Sequence, residues 1–408
     1  MDSYTLYILH STFYITMDRL WNRNYCLVMM ANSFLYLSFY LLMPLLPLYL
    51  NAEFGAGKDT IGVVLSGYTL AALLTRPFSG YVVDSFARKK VLMLCISVFS
   101  IFFLGYVAAG TLLLFAIVRT LHGVPFGAVT VANSTVAIDV LAPSRRKEGI
   151  GLYGLSTNIP MALAPSLGIY IYHLTNSFAP LFWIAFGFSA IAVLCAHLVK
   201  LKPREVVPNK RKISLDRFFL TRAWLLAINI ALFGSCFGTL SNFLAIYSRD
   251  ELGITSGTGT YFMLLSIGLI VSRLQGSKAL REGKLTQNCA MGVGVSLTGY
   301  VLFVACPHPW AYYLSAILIG LGNGHMYPAF LNMFVAMAHH DQRGTANSSI
   351  LTSWDLGFGL GVLVGGLIAE NISYQAAFWF VAAVNAVGVI LFFAATRRFF
   401  LERQLKEQ

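Results

Sequence analysis

Residues 75–90 read TRPFSGYVVDSFARKK. This is the end of a long apolar run, then Asp84, then the basic cluster Arg88, Lys89 and Lys90 that opens the next run. That unit, an apolar segment followed by a short basic turn, is repeated along the chain. Apolar runs lie at about 24–50, 59–81, 90–109, 111–138, 147–174, 178–200, 222–249, 256–280, 286–306, 309–338, 343–370 and 373–399. Each holds about 20 residues or more, enough to cross a ~30 Å hydrocarbon layer as a helix. The strict alternation of a barrel strand is absent, so helices are the expected spanning element.

The charge pattern orients these runs. Of 29 Lys and Arg, 24 fall in alternate gaps or at the two ends; Lys58 and Arg249 lie in the opposite gaps, and Arg76, Arg119 and Arg273 lie inside runs. Basic loops stay on the cytoplasmic side, which puts both termini inside. Charged residues make up 11% of the 408-residue chain and apolar residues 57%. A soluble protein could not cover that much apolar surface with so few charges. The net charge of +12 is spread over separate short loops, which suits membrane topology and anionic lipid headgroups rather than nucleic acid. The six cysteines show no disulfide or metal spacing, and His339 with His340 lacks the further ligands of a metal site.

Residues 200–222 form the one polar linker long enough to join two bundles, dividing the runs six and six. The organisation expected is a cytoplasmic N-terminus (1–23), a first bundle (24–200), a linker (201–221), a second bundle (222–399) and a tail (400–408). Residues 1–16 lack a basic n-region and a cleavage site. Met17, followed by Asp18 and Arg19, reads as a natural cytoplasmic start, which makes 1–16 a candidate misassigned extension. A weak repeat supports two halves: SRLQGSKALREGK (272–284) parallels 75–90, with Arg76 and Arg273 offset by 197, and Gly149 and Gly344 offset by 195.

GYVVDSFARKK (80–90) resembles the loop after the second helix of the major facilitator superfamily: Gly80, Asp84, Arg88 and Lys89 match its pattern, and Ala87 replaces a glycine. LFAIVRTLHGVPFGA (114–128) is similar to the family's Arg-x-x-Gln-Gly element, with His122 in the Gln position. NIPMALAPSLG (158–168) resembles the Gly-Pro-x-x-Gly element of proton-driven exporters, with Ala164 in place of glycine. The resemblance implies an all-α membrane protein of twelve transmembrane helices in two pseudo-symmetric six-helix bundles. It also implies a conformational latch formed by Gly80, Asp84, Arg88 and Lys89. Asp84 would accept from free N–H groups where the eleventh run begins, and Asp139 is a partner for Arg88.

Ionised groups inside hydrocarbon mark function by default. Arg76 and Arg273 lie near the inner ends of their runs and can snorkel. Asp355, about 18 Å into the eleventh run, is the only carboxylate placed near the midplane. Buried away from cations, it would exchange a proton near neutral pH, making it the first choice for proton coupling or substrate binding. Arg119 and His122 are further candidates, Arg119 as a cation facing the central cavity. The alternative for all three is structural hydrogen bonding. Cavity-lining candidates are Asn32, Tyr36, Tyr40, Asn158, Asn229, Asn242, Asn323, His325 and Trp354, with Asn332 and Phe237 beside them. So few charges favour an uncharged, amphiphilic or weakly cationic substrate. Pro160 and Pro165 are expected to loosen the fifth run.

No nucleotide loop or nucleophile elbow is present, so the chain is read as no enzyme. The expectation is a secondary active transporter working by alternating access, exporting a drug, sugar or metabolite in exchange for protons. Its energy source is the proton gradient, with no cofactor or metal. Its partners are a small molecule, protons and the lipid bilayer, not nucleic acid, and a monomer suffices. The site is the bacterial inner membrane. An importer of the same fold and a non-transporting sensor are the alternatives.

Overall fold

The computed structural model describes residues 19–201, 215–254 and 257–405, with the side chains of Lys58 and Asp59 excepted. The reading of residues 1–16 lies outside this range. Among the described residues there are only helices. The first half contains α1 (Arg23–Leu42), α2 (Leu46–Phe54), α3 (Lys58–Ser85), α4 (Arg88–Ala108), α5 (Leu112–Asp139), α6 (Arg146–Tyr153), α7 (Leu155–Thr175) and α8 (Ala179–Leu198). The second contains α9 (Trp224–Asp250), α10 (Thr258–Arg281), α11 (Leu285–Ala305), α12 (Pro309–Ala336), α13 (Arg343–Asn371), α14 (Tyr374–Leu391) and α15 (Arg397–Arg403).

These helices make twelve rods, and the protein is an integral multi-pass membrane protein. Nine helices among the described residues are long and apolar enough to span a bilayer unaided. The other rods are α6 with α7, α10 and α12, which carry Pro160 and Pro165, Arg273, and Asn323 with His325. Large apolar side chains such as Leu74, Ile101, Leu194 and Ile390 are exposed. An apolar belt of that kind is stable only in lipid.

Several boundaries differ from the sequence reading. The first run breaks at residues 43–45, where Pro44 cannot donate to the helical ladder, and restarts at Leu46 with Pro47 in its first turn. The fifth run is interrupted at Gly154, whereas Pro160 and Pro165 lie inside continuous α7. The third rod's predecessor α3 runs to Ser85 instead of ending at 81, so Asp84 lies in its last turn. The last run continues through a π-helical segment to Arg403, beyond the expected boundary at 399. Leu220, at the end of the linker, donates its N–H to Ser349 Oγ at 2.8 Å, which ties the linker to α13.

The halves meet mainly in two symmetric places, α3 against α13 and α10 against α6 and α7, and α5 also touches α13 and α6 touches α12. Glycines set the spacing on α13. A Cβ on Gly357 or Gly361 would lie 2.0 Å from the carbonyl oxygen of Ala231 or Ser235 on α9. Only glycine permits that approach. Ile138 and Ile150 of the first half pack with Leu280, Leu331 and Ile350 of the second, forming an apolar seal on the face where α1 begins and α15 ends, the terminal face.

Candidate functional site

α3 and α13 run antiparallel, and their contacts keep a regular register. Nearest the terminal face, Asp84 Oδ1 accepts from the Gly344 N–H at 2.8 Å, and Oδ2 accepts from the Thr345 N–H at 2.8 Å and the Thr345 hydroxyl at 3.0 Å. α13 has no capping side chain of its own at Gln342, so the first half supplies the cap of a second-half helix. A carboxylate there satisfies free N–H groups and meets the positive end of the helix dipole. Arg88 donates to Asp84 at 3.1 Å and pairs with Asp139, which also accepts from Arg343 at 3.0 Å. One turn deeper, Gly80 faces Gly344 and Ser348: a Cβ on Gly80 would lie 2.2 Å from Ser348 Oγ. Lys89 takes no part in this junction. Its ammonium donates to the carbonyls of His197 and Val199 at the end of α8, where a cation complements the free carbonyls, so its placement in the latch is corrected.

Deeper along the same seam, Arg76 pairs with Asp355 and also donates to the Leu351 carbonyl at 3.4 Å. The Arg76 side chain is 7% exposed and that of Asp355 is 21% exposed. This corrects two expectations: Asp355 is not remote from cations, and Arg76 does not snorkel. The physical reason is the length of α3. With four more residues of helix, Arg76 sits about 14 Å from the inner end of α3, close to the depth of Asp355. Tyr36 and Tyr327 lie within electrostatic reach of both partners. Trp354 packs on Tyr327 and Phe237, and Tyr36 on Tyr40. The pair therefore sits between the halves with aromatic walls beside it.

Arg119 and His122 are elsewhere. Arg119 Nη1 donates to the Tyr106 hydroxyl at 3.0 Å, and the guanidinium lies 4.0 Å from the centre of the Tyr68 ring. The Tyr106 hydroxyl also bonds His122 Nδ1 at 2.7 Å, and Phe99, Phe102 and Phe103 surround the imidazole. All of these residues belong to the first half, so Arg119 does not face a cavity between the halves. Tyr106→Phe removes the shared hydroxyl and leaves a buried cation short of an acceptor. We expect it to destabilise the protein by about 1–3 kcal/mol without changing the pH dependence of transport. Thermal unfolding of the purified protein and pH-jump flux assays check this; an altered pH dependence at unchanged stability would contradict it.

Most of the other candidates are interhelical bolts. Asn32 donates to Ser156 and Thr157 at 2.8 and 3.0 Å and accepts from Asn133. Asn229 donates to the Gly388 carbonyl at 2.8 Å, and Asn242 to Gly238 of its own helix. Asn323 accepts from Ser296, and His325 bonds Asn288 at 3.0 Å. For Asn32, Asn229, Asn323 and His325 these placements correct the cavity-lining expectation; Asn242 bonds within its own helix and stays exposed. An amide in a dry bundle must find an acceptor, and the nearest is often a neighbouring backbone carbonyl or polar side chain. Asn332 does cross the halves, donating to the Lys147 carbonyl at 3.2 Å. Asn158 is buried, and its amide nitrogen has no partner.

Sequence reasoning missed Arg76, Arg273 and Tyr327 as central residues. The 197-residue offset between the two arginines was the available signal, because a twofold repeat carries equivalent positions to the same interface. Arg273 is buried, and its guanidinium bonds the Gly151 carbonyl at 3.3 Å across the halves, which corrects its snorkelling placement as well. Among the described residues, the hydrogen bonds and ion pairs between halves all lie from mid-depth to the terminal face.

Comparison with known proteins bears on this arrangement. The family model described as Major Facilitator Superfamily matches residues 28–287 and 283–407. A protein of Escherichia coli (strain K12) named "Uncharacterized MFS-type transporter YhhS" is 26% identical over 382 residues, covering 91% of this chain and 92% of its own. The staphylopine export protein of Staphylococcus aureus (strain Mu50 / ATCC 700699) is 24% identical over 337 residues, covering 79% and 84%. Among solved structures, the human organic anion transporter MFSD10 (TETRAN) superposes with a TM-score of 0.78 at 16% identity, covering 91% of this chain and 99% of that one. FucP in its outward conformation gives 0.77 at 13% identity, covering 94% and 99%. At these identities the two structures speak for the fold.

Proposed function

The chain belongs to the major facilitator superfamily and is a membrane transporter, and on that premise we propose that it exports a small organic compound in exchange for protons. The observation that carries this reading is the Arg76–Asp355 pair, which joins the two halves at mid-depth while the carboxylate stays partly exposed. The terminal face is cytoplasmic by the distribution of basic residues. With that face sealed, the arrangement corresponds to an outward-facing state, and the setting is the bacterial cytoplasmic membrane with both termini inside. A monomer contains both halves of the site.

In this reading a proton arriving from outside neutralises Asp355 and releases Arg76. The pair no longer holds α3 to α13, and the halves rock open toward the cytoplasm. There the proton leaves, substrate binds, and the re-formed pair closes the inner side again. An ion pair that resists the outward-to-inward step until it is protonated gives exchange rather than leak. The relative named as an export protein supports the outward direction. The proton gradient is the energy source, and the mechanism needs no cofactor and no enzymatic step.

Proteoliposomes containing a pH-sensitive dye test the reading against a panel of organic acids, sugars and cationic drugs. Adding a transported compound outside should make the lumen alkaline as protons leave in exchange. Lumenal acidification would identify an importer. Binding without flux for every compound would identify a sensor.

A further inference from the structure

Arg273 and Asn158 are both 7% exposed, on the two elements that join the halves opposite the Arg76–Asp355 pair. We propose that together they form an anion-binding subsite that takes the carboxylate of the transported compound, an inference that rests on the transporter reading above.

The pseudo-twofold repeat carries the argument. Arg76 and Arg273 are offset by 197 residues and face equivalent partner helices, α13 and the α6–α7 rod. Arg76 finds Asp355 on its partner. The same offset applied to Asp355 falls at 158, where the chain has Asn158. One half of the repeat therefore keeps its carboxylate and the other has an amide. Among the described residues no carboxylate lies within ion-pair distance of Arg273. Glu148 is taken by Arg145 at 3.1 Å and Arg281 at 3.6 Å.

The local geometry fits a ligand anion. A Cβ on Gly154 would lie 2.6 Å from the Arg273 Cζ, so the guanidinium rests on the bare backbone where α6 gives way to α7. Arg273 Nε has no partner, and neither does the amide nitrogen of Asn158. Asn158 is one helical turn beyond Gly154, on the same face, and its side chain leans back toward the helix start. Tyr327 lies within electrostatic reach of both Arg76 and Arg273. A buried guanidinium without a counter-charge is costly, and a substrate carboxylate held by the guanidinium fork and the Asn158 amide would balance it. Tyr327 and Trp354, 5.4 Å apart, offer an aromatic wall to the rest of such a molecule. The substrate class is thus an organic acid with an apolar body, in place of the uncharged or cationic compound suggested by the low overall charge.

Benzoate and benzamide, matched in shape and differing in charge, probe the site by thermal unfolding of the full chain in detergent. Benzoate at ten times its Kd should raise the Tm by roughly 1–2 °C, and benzamide at the same concentration should not. Arg273→Gln should abolish the response. Asn158→Asp should abolish it too, while raising the Tm without ligand, because an internal carboxylate then meets Arg273. Equal responses to benzoate and benzamide would overturn the proposal. So would an undiminished benzoate response in Asn158→Asp, a variant that remains informative if Arg273→Gln fails to fold. Because the readout is binding, a benzoate-selective response without flux sinks the transport reading and supports the subsite. Flux without charge selectivity does the reverse.

Discussion

Asp355→Asn should abolish transport driven by a pH gradient, by a hundredfold or more in initial rate (on the order of 10² if one protonation step gates the cycle), while substrate exchange without a gradient persists. The amide matches the carboxyl in shape but cannot ionise, so the Arg76–Asp355 contact loses its dependence on protons. The substitution also leaves Arg76 buried beside a neutral group. Removing one member of a buried pair costs about 3–5 kcal/mol, and the 21% exposure of Asp355 puts this case at the lower end. A stability loss and a coupling loss would then be confounded. The double variant Arg76→Gln, Asp355→Asn separates them: two neutral, hydrogen-bonding side chains remove the orphaned charge and should restore most of the Tm without restoring proton-driven transport. The measurements are gradient-driven flux, counterflow exchange and thermal unfolding of the same preparations. Undiminished uphill transport in Asp355→Asn would remove the pair from the coupling role.

Asp84→Asn should slow turnover much more than it weakens ligand binding, and should open the terminal face. Asp84 accepts from two backbone N–H groups, one hydroxyl and Arg88. An Asn has one acceptor oxygen, and its amino group faces donors. Loss of the helix cap costs about 0.5–2 kcal/mol and loss of the charge at the helix start about 0.3–2 kcal/mol. Together these move the equilibrium between sealed and open states by roughly fourfold to a thousandfold. A cysteine placed at Asn347, buried in the seal beside Thr135, reports the change. Its alkylation from the cytoplasmic side should accelerate at least about fourfold in Asp84→Asn. Equal alkylation and equal turnover would reject the latch.

Much of the architecture was legible because lipid imposes it. Run length, missing alternation and the spacing of basic gaps each follow from the cost of exposing backbone or charge to hydrocarbon, and they act residue by residue along the chain. The residues at Asp84, Arg88 and Asp139 were also readable, since a carboxylate at a helix end and a basic turn are local features of GYVVDSFARKK. Helix ends were less so: four extra residues on α3 were enough to move Arg76 from a snorkelling position to the central seam.

The sequence by itself determined the class of protein, the two six-rod halves and the presence of one deep carboxylate. Only the tertiary structure decided which charges meet. Asn229 and His325 look like cavity residues in the sequence, yet they bond a neighbouring helix within their own half. Arg119 turns inward to Tyr106 and Tyr68, whereas Arg76 and Arg273 reach across to the other half. Hydropathy records whether a side chain is costly in lipid. It does not record the rotation of a helix about its axis, which is set by packing against its neighbours, and that rotation chooses each polar group's partner.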